Sequence, residues 1–346
     1  MQNAQINKVK SCRIGKMEVE GGIVVIVVTG GAGFIGSCII RVLNDRGRDD
    51  IIVVDHLDTK GMKKRNLEGK RYALYYDKQE FLQNLLSGKL SSEVDSIIHM
   101  GACSSTTLQD EQYFNKNNFE YTMHLAKWAL DRNVRFIYAS SAATYGDGSV
   151  GYKDDEETIR RCRPLNLYGW SKQKFDEWVL DNGYIDRMVG LKFFNVFGPN
   201  EYHKKDMMSV VAKSYRRVVN EGKIALFKSY KKEYKHGEQK RDFIYVKDAV
   251  DVVMFFLDNP QTNGIFNVGT GLARTWNDLA YALFSAVGIE PCIEYIDMPE
   301  GLKDRYQYFT QADMSKLQAS GYSKGFTGLE DAVRDYVGYL ADHRYF

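Results

Sequence analysis

Val24-Val25-Ile26-Val27-Val28-Thr29-Gly30-Gly31-Ala32-Gly33-Phe34-Ile35-Gly36 is the stretch on which the fold of this chain turns. From Ile23 to Thr29 every residue is β-branched, which predicts a strand buried on both faces of a parallel sheet. The glycines that follow give G-x-G-x-x-G at Gly31, Gly33 and Gly36, and G-x-x-G-x-x-G at Gly30, Gly33 and Gly36. Such spacing serves a tight turn, a close approach of backbone to a pyrophosphate, and close packing of a helix whose first N–H groups face the phosphates. Ile35–Asn44 then carries apolar residues at helical spacing. Ile51–Val54 reads as a second buried strand ending at Asp55, nineteen residues after Gly36. Strand, glycine turn, helix and strand-end acid together predict a dinucleotide site. Asp55 is placed to bond the adenosine ribose, which favours NAD. Lys60, Lys63, Lys64 and Arg65 follow closely and suit the 2′-phosphate of NADP, so these residues leave both cofactors open.

Outward from this unit, Ser96–His99, Phe136–Ala139 and Met188–Lys192 read as further strands, with helical stretches around Tyr113–Asp131 and Ser171–Leu180. Such alternation predicts an α/β fold with a Rossmann-type doubly wound parallel sheet. Residues 200–240 read as basic and irregular, after which a strand-helix unit returns at Asp242–Leu257 and a strand at Ile265–Val268. The expected organisation is a flexible tail over 1–22, a dinucleotide-binding domain over 23–193 plus 241–269, and a smaller C-terminal α/β substrate domain over 194–240 plus 270–340.

The 346 residues carry 47 Lys and Arg against 45 Asp and Glu, a net charge of +2 that singles out neither nucleic acid nor an anionic membrane as partner. No apolar run approaches the roughly 20 residues of a membrane span. Five scattered cysteines without a C-x-x-C pair predict no disulfide framework and no metal site, and point to the reducing cytoplasm. Residues 1–22 lack the apolar core of a secretory signal.

Tyr168-Gly169-Trp170-Ser171-Lys172 places a phenol and an ammonium on one helix face. The ammonium is expected to lower the phenol pKa, so that the tyrosine can take a proton from an alcohol. Ser140-Ser141-Ala142-Ala143-Thr144-Tyr145-Gly146 follows a predicted strand, where a serine can polarise the same hydroxyl. Glycine loop, strand-end serine and Y-x-x-x-K in this order predict hydride transfer at a secondary alcohol.

These segments, with GACSSTT (101–107), FNVFGPNEYHK (194–204), RDFIYV (241–246) and RYQYFTQAD (305–313), resemble the extended short-chain dehydrogenase/reductases that modify nucleotide sugars. Within that family they are most similar to the branch that epimerises ADP-heptose, and the resemblance runs from about Val24 to about Tyr339. It implies Tyr168 and Lys204 as two acid/base groups, Ser141 as the holder of the reacting hydroxyl and Lys172 as a ligand of the nicotinamide ribose. It implies a cofactor site of Gly30, Gly33, Phe34, Ile35, Gly36, Asp55, His56 and Val196, completed by Met100, Gly101, Ala102, Cys103, Ser104 and Asn117. Lys63 and Lys78 fall where the family approaches a 2′-phosphate, which moves the expectation to NADP. Ser141, Asn195, Lys204, Arg241 and Tyr306, with the loop Phe227, Lys228, Ser229 and Tyr230, match substrate positions. The chain departs from the family pattern at Asp206, Lys213 and Asn200, where the family has serine, histidine and arginine; the first two positions are associated with the ADP-sugar. The resemblance also implies a homo-oligomer, pentamer-based, whose product enters the lipopolysaccharide inner core.

Competing readings are a nucleotide-sugar 4-epimerase or 4,6-dehydratase on the same fold, and a non-catalytic dinucleotide sensor. Ala142 and Ala143 stand where a dehydratase needs acid/base groups, and a sensor has no use for an intact serine, tyrosine and lysine. The basic stretch 228–240 reads as a solvated or diphosphate-facing loop ahead of a nucleic-acid contact.

Overall fold

A computed structural model describes residues 25–57, 61–90, 93–303 and 306–346; the expected tail over 1–22 lies outside them. Twelve strands occur among the described residues: β1 (Val25–Thr29), β2 (Ile51–Asp55), β3 (Leu74–Asp77), β4 (Val94–His99), β5 (Arg135–Ser141), β6 (Val189–Phe193), β7 (Asn195–Phe197), β8 (Ile224–Phe227), β9 (Lys240–Tyr245), β10 (Gly264–Val268), β11 (Ala273–Thr275) and β12 (Ile293–Ile296). Seven of them form one sheet in the order β10-β6-β5-β4-β1-β2-β3, with every neighbouring pair parallel. This is the doubly wound α/β sheet expected from the sequence. In β1, Ile26, Val27 and Val28 are fully buried, as the unbroken β-branched run requires for a strand covered on both faces.

The strand order reverses at β1, between β2 and β4. In such sheets a crevice opens beyond the carboxyl ends of the strands at that switch point. The glycine turn, Asp55, Met100 and Ser141 all sit at or just beyond those ends. Two smaller sheets flank the main one: β7 and β11 on either side of β9, and β8 beside β12.

Two stretches differ from their sequence-based reading. Residues 200–240 hold a regular helix, Val210–Glu221, capped by Ser209 and closed by Gly222 in the left-handed region, and the strand β8. Only Val211 and Val218 of this helix are fully buried, so its dense Lys and Arg masked a narrow apolar stripe. The expected helix over Tyr113–Asp131 opens at Glu111 and passes through a wider π-helical stretch, Asn115–Glu120. That stretch faces the cleft through Asn117.

His99, the last residue of β4, lies fully buried under the cleft. Thr122 gives its own proton to Asn118 O, so Nε2 of His99 donates to Thr122 Oγ1 (2.9 Å) and Nδ1 accepts from Thr29 Oγ1 (2.6 Å). Thr29 Oγ1 in turn accepts from Gly101 N at 3.3 Å, tying this chain to the cleft floor. Burial pushes the imidazole from its ordinary 6.5 down to about 3, with Lys172 adding to the effect. The unfolded chain therefore takes up a proton that the folded one refuses. The stability contribution is present above pH 6.5 and is lost as pH falls towards 3. Thermal unfolding should shift downward between about pH 7 and about pH 5, where few carboxylates titrate. His99→Gln should be less stable at neutral pH but show a flatter dependence.

Candidate active site

A cleft of about 550 Å³ opens along the carboxyl edge of the main sheet. The helix Phe34–Asp45 begins at its mouth with no side-chain cap and no acid in its first turn, which leaves its N-terminal N–H groups for an anion. Gly30 has φ +67°, and a Cβ there would meet the backbone of Gly101 at 2.6 Å. The fit to a pyrophosphate-bearing dinucleotide is that of the cradle itself.

Asp55 closes one end of the cleft. Its Oδ2 accepts from Ala32 N (2.9 Å), while Oδ1 accepts from His56 N (2.7 Å) and from Lys63 Nζ (2.8 Å). The acid thus braces the glycine turn and holds Lys63 at that end of the cleft. Lys78 reaches Asn117 Oδ1 at 2.9 Å. Both ammonium groups line the cleft.

Ser141, Tyr168, Lys172 and Lys204 also line the cleft. Asn166 caps the helix Leu167–Asp181 through Gly169 N at 2.8 Å, fixing where Tyr168 emerges. A buried network behind that helix anchors it to the sheet. Asp176 accepts from Ser140 Oγ (2.6 Å), Tyr138 OH (3.0 Å) and Lys192 Nζ (2.6 Å), the last a fully buried ion pair. Lys172 Nζ donates to Ala139 O at 2.7 Å, and burial lowers its pKa to about 8.

The Tyr168 phenol departs from the sequence-based expectation. Burial raises its pKa, and a hydrogen bond with Ser141 pulls the other way. The Lys172 ammonium, expected to lower it, donates instead to the Ala139 carbonyl.

Lys204 projects from the short turn Tyr202–Met207, its Nζ 5.1 Å from the centre of the Phe34 ring. Burial lowers its pKa, opposed by the Glu201 carboxylate. Glu201 is itself buried and held by Ser209 N and Oγ, both at 2.6 Å. Lys205 follows with φ 50°, ψ −119°, a conformation that strains a side-chain-bearing residue.

The cleft gathers all four proposed catalytic residues and every cofactor residue the resemblance implies; Gly31, Lys64 and Arg65 do not line it, and Lys60 lies outside the described residues. Of the substrate positions only Ser141 and Lys204 line it. Arg241 and Tyr306 form a second cluster, with the guanidinium 5.0 Å from the Tyr306 ring centre. There Tyr230 OH and Lys228 Nζ reach Asp297, at 2.6 and 3.3 Å. Ser229 N donates to His236 Nδ1 (3.0 Å), and Phe227 O accepts from Gln239 Nε2 (3.3 Å). Arg241 donates to Gln307 O, and Gln307 Nε2 donates to Gly146 O, which joins this cluster to the turn after Ser141. Asn195 is half-buried on β7 beside cleft-lining Val196. Asp206 and Lys213 are exposed, and Lys213 Nζ reaches the Asp206 backbone O at 3.2 Å, not its carboxylate.

Sequence reading missed His203, which lines the cleft with its pKa lowered to about 4 by burial and by Lys63. It also missed Asn118, whose amide bonds Cys103 N and O and Ser171 Oγ, each at 2.9 Å. Asn118 ties the loop after β4 to the tyrosine helix; only its place beside Asn117 could have signalled it. Among the described residues, no cluster of His, Cys, Asp and Glu could hold a metal ion, and no helix is long and apolar enough to cross a membrane.

Residues 26–269 match the pattern of the NAD dependent epimerase/dehydratase family. An ADP-L-glycero-D-manno-heptose-6-epimerase of Nitratidesulfovibrio vulgaris is 52% identical over 316 residues, covering 91% of this chain and 98% of that protein. One from Fusobacterium nucleatum is 45% identical over 326 residues, with the same coverage. The crystal structure of the enzyme of that name from Helicobacter pylori superposes with a TM-score of 0.77 at 26% identity, covering 93% of this chain and 98% of that one.

Proposed function

The chain belongs to the NAD dependent epimerase/dehydratase family, and from that premise we propose that it interconverts ADP-D-glycero- and ADP-L-glycero-D-manno-heptose through a transient 6″-keto intermediate. It is an isomerase. The observation that carries this reading is that Tyr168, hydrogen-bonded to Ser141, lines one cleft together with Lys204, in a chain about half identical to the heptose epimerases over nearly its whole length.

Bound nicotinamide dinucleotide supplies the acceptor and donor of hydride at C6″. Ser141 holds the reacting hydroxyl, and Tyr168 beside it moves the proton on one face of the sugar. Lys204, held in the cleft wall by the 202–207 turn, moves the proton on the other face; burial favours its neutral, proton-accepting form. Lys172 binds the nicotinamide ribose. Two proton-handling groups are needed because the ketone must turn over in the pocket before the same nicotinamide can return hydride to its opposite face, which brings its oxygen to a different group. Among the described residues Asp55 is the only carboxylate lining the cleft, and it sits at the ribose end. A dehydratase would need an acid at the sugar end.

Within the coarser assignment of a nicotinamide dinucleotide we favour NADP, with Lys63 and Lys78 at its 2′-phosphate. The Lys63–Asp55 pair supports this, since it partly neutralises the acid that would repel a phosphate. The second cluster around Arg241, Tyr306 and residues 227–230 is our candidate for the ADP moiety. We place 194–240 and 270–340 on the substrate side of the cleft and 23–193 with 241–269 on the cofactor side. A cytoplasmic homo-oligomer supplying the lipopolysaccharide core fits this reading.

Purified protein incubated with ADP-D-glycero-β-D-manno-heptose and no added cofactor should produce the L-glycero isomer by proton NMR. NADP should be the nucleotide released on denaturation. Absence of conversion, even with NADP⁺ and NAD⁺ added, overturns the reaction.

A further inference from the structure

Asn200 precedes Lys204 by four residues. Its side chain is buried, and its backbone takes φ 77°, a left-handed conformation that asparagine tolerates better than most residues. The amide grips the backbone of Phe346 in both directions: Nδ2 donates to Phe346 O at 3.0 Å, and Phe346 N donates to Oδ1 at 2.9 Å. The same Nδ2 lies 2.9 Å from Ser37 Oγ on the helix that begins at the glycine turn. Asn66 completes the joint by donating to Asn200 O (3.1 Å) and to Ala32 O (2.9 Å).

Segment 344–346 is docked by more than this amide. Tyr202 OH donates to Arg344 O at 3.0 Å, and the Tyr202 and Tyr345 rings meet edge to face at 5.0 Å. Lys70 Nζ also donates to Phe346 O. Tyr202 opens the turn that carries Lys204, and Asn200 leads into it. Residues 344–346 therefore touch the Lys204 turn twice and the glycine-turn helix through a shared amide, while none of them lines the cleft.

We propose that Asn200 and segment 344–346 are positioning elements for Lys204, acting as a strap that holds the second proton-handling group against the dinucleotide cleft. The inference rests on the heptose-epimerase reading above. The segment 200–205 carries two positive-φ residues, Asn200 and Lys205, and holds that strained path only if its surroundings fix it. The strap supplies that fixation on the side away from the cleft. Tyr168 stands on a separate helix, anchored through Asp176 to β5 and β6, so loosening the strap should disturb one proton transfer and spare the other.

The test uses the full-length holoenzyme, Asn200→Gly, and a chain ending at Arg344. Glycine accepts φ 77° without strain, so Asn200→Gly removes the grip without distorting the turn. Single-turnover reduction of bound cofactor, followed by the absorbance of the reduced nicotinamide, is measured separately from each epimer. Either change should slow reduction from one epimer about tenfold and leave the other within about twofold, with bound cofactor unchanged. The two changes combined should cost less than the sum of their separate effects, because both remove the Asn200–Phe346 grip. Equal slowing from both epimers, additive losses, or lowered thermal stability with unaltered rates would each overturn the positioning role. Wild-type enzyme run alongside separates the two readings. Its inactivity overturns the reaction and this inference together; active wild type with unaltered variants overturns this inference alone.

Discussion

Tyr168→Phe combined with Lys204→Met should lower the rate of epimerisation by about 10⁴-fold or more, the largest effect expected of any pair of substitutions in the cleft. Each residue alone should leave measurable turnover. With Tyr168 lost, Ser141 and ordered water still polarise one hydroxyl, and Lys204 still serves the opposite face. With Lys204 lost, the tyrosine face works and the return step is slow. Removing both takes the assigned proton-handling group from each face. Neither change should empty the dinucleotide site, because the glycine turn, Asp55 and Lys172 are untouched. Proton NMR of the product mixture, with cofactor content measured on the same sample, checks the prediction. A double variant that still epimerises at the wild-type rate would remove Tyr168 and Lys204 from the chemistry.

Gly36→Ala should yield protein without bound cofactor and without activity. A Cβ at residue 36 would lie 2.2 Å from Gly30 O, 2.8 Å from Gly30 C and 2.9 Å from Gly31 Cα. All three atoms are backbone, and the turn has little freedom to yield. Gly30 N donates to Val54 O at 2.7 Å, and Gly33 N donates to Gly30 O at 2.9 Å. Making room for one methyl group means moving the helix Phe34–Asp45 off the turn, which pulls its N–H groups from the phosphate path. The packing cost is about 1–3 kcal/mol, so the variant should fold with a lowered melting temperature while binding fails. Nucleotide released on denaturation, set against a calorimetric melt, separates the two effects. Full cofactor occupancy in Gly36→Ala would show that the pyrophosphate lies elsewhere.

What the sequence made legible was what is local in the chain. The run ending at Thr29, the glycine turn and Asp55 span about thirty residues, and their spacing alone predicts their arrangement. Tyr168 and Lys172 lie one helical turn apart, so pattern sufficed there too. Strand β3 escaped notice because it is an edge strand: Leu74 is half exposed and Tyr75 and Tyr76 only half-buried, so no apolar alternation marks it. The helix Val210–Glu221 hid behind its own lysines and arginines. His203, Asn118 and the grip of Asn200 on Phe346 depend on contacts between distant segments, 146 positions apart in the last case. The direction of the Tyr168 shift was illegible for a related reason. Burial and the Lys172–Ala139 hydrogen bond are properties of the assembled cleft, not of Y-x-x-x-K spacing.

Lys204 does not stand on the main sheet; its turn follows β7, a strand of the small sheet around β9, whereas Ser141 and Tyr168 stand on β5 and on the helix packed against it. Oxidation and stereochemical outcome are thereby lodged in separate pieces of the chain. An ancestral alcohol-oxidising scaffold could keep its serine, tyrosine and lysine unaltered while drift in one peripheral turn changed which face receives the returning hydrogen. Descent with altered stereochemistry would then take few substitutions, in a turn packed against the glycine-turn helix but outside the glycine motif itself. Such changes reach one proton transfer and leave Ser141, Tyr168 and Lys172 in place.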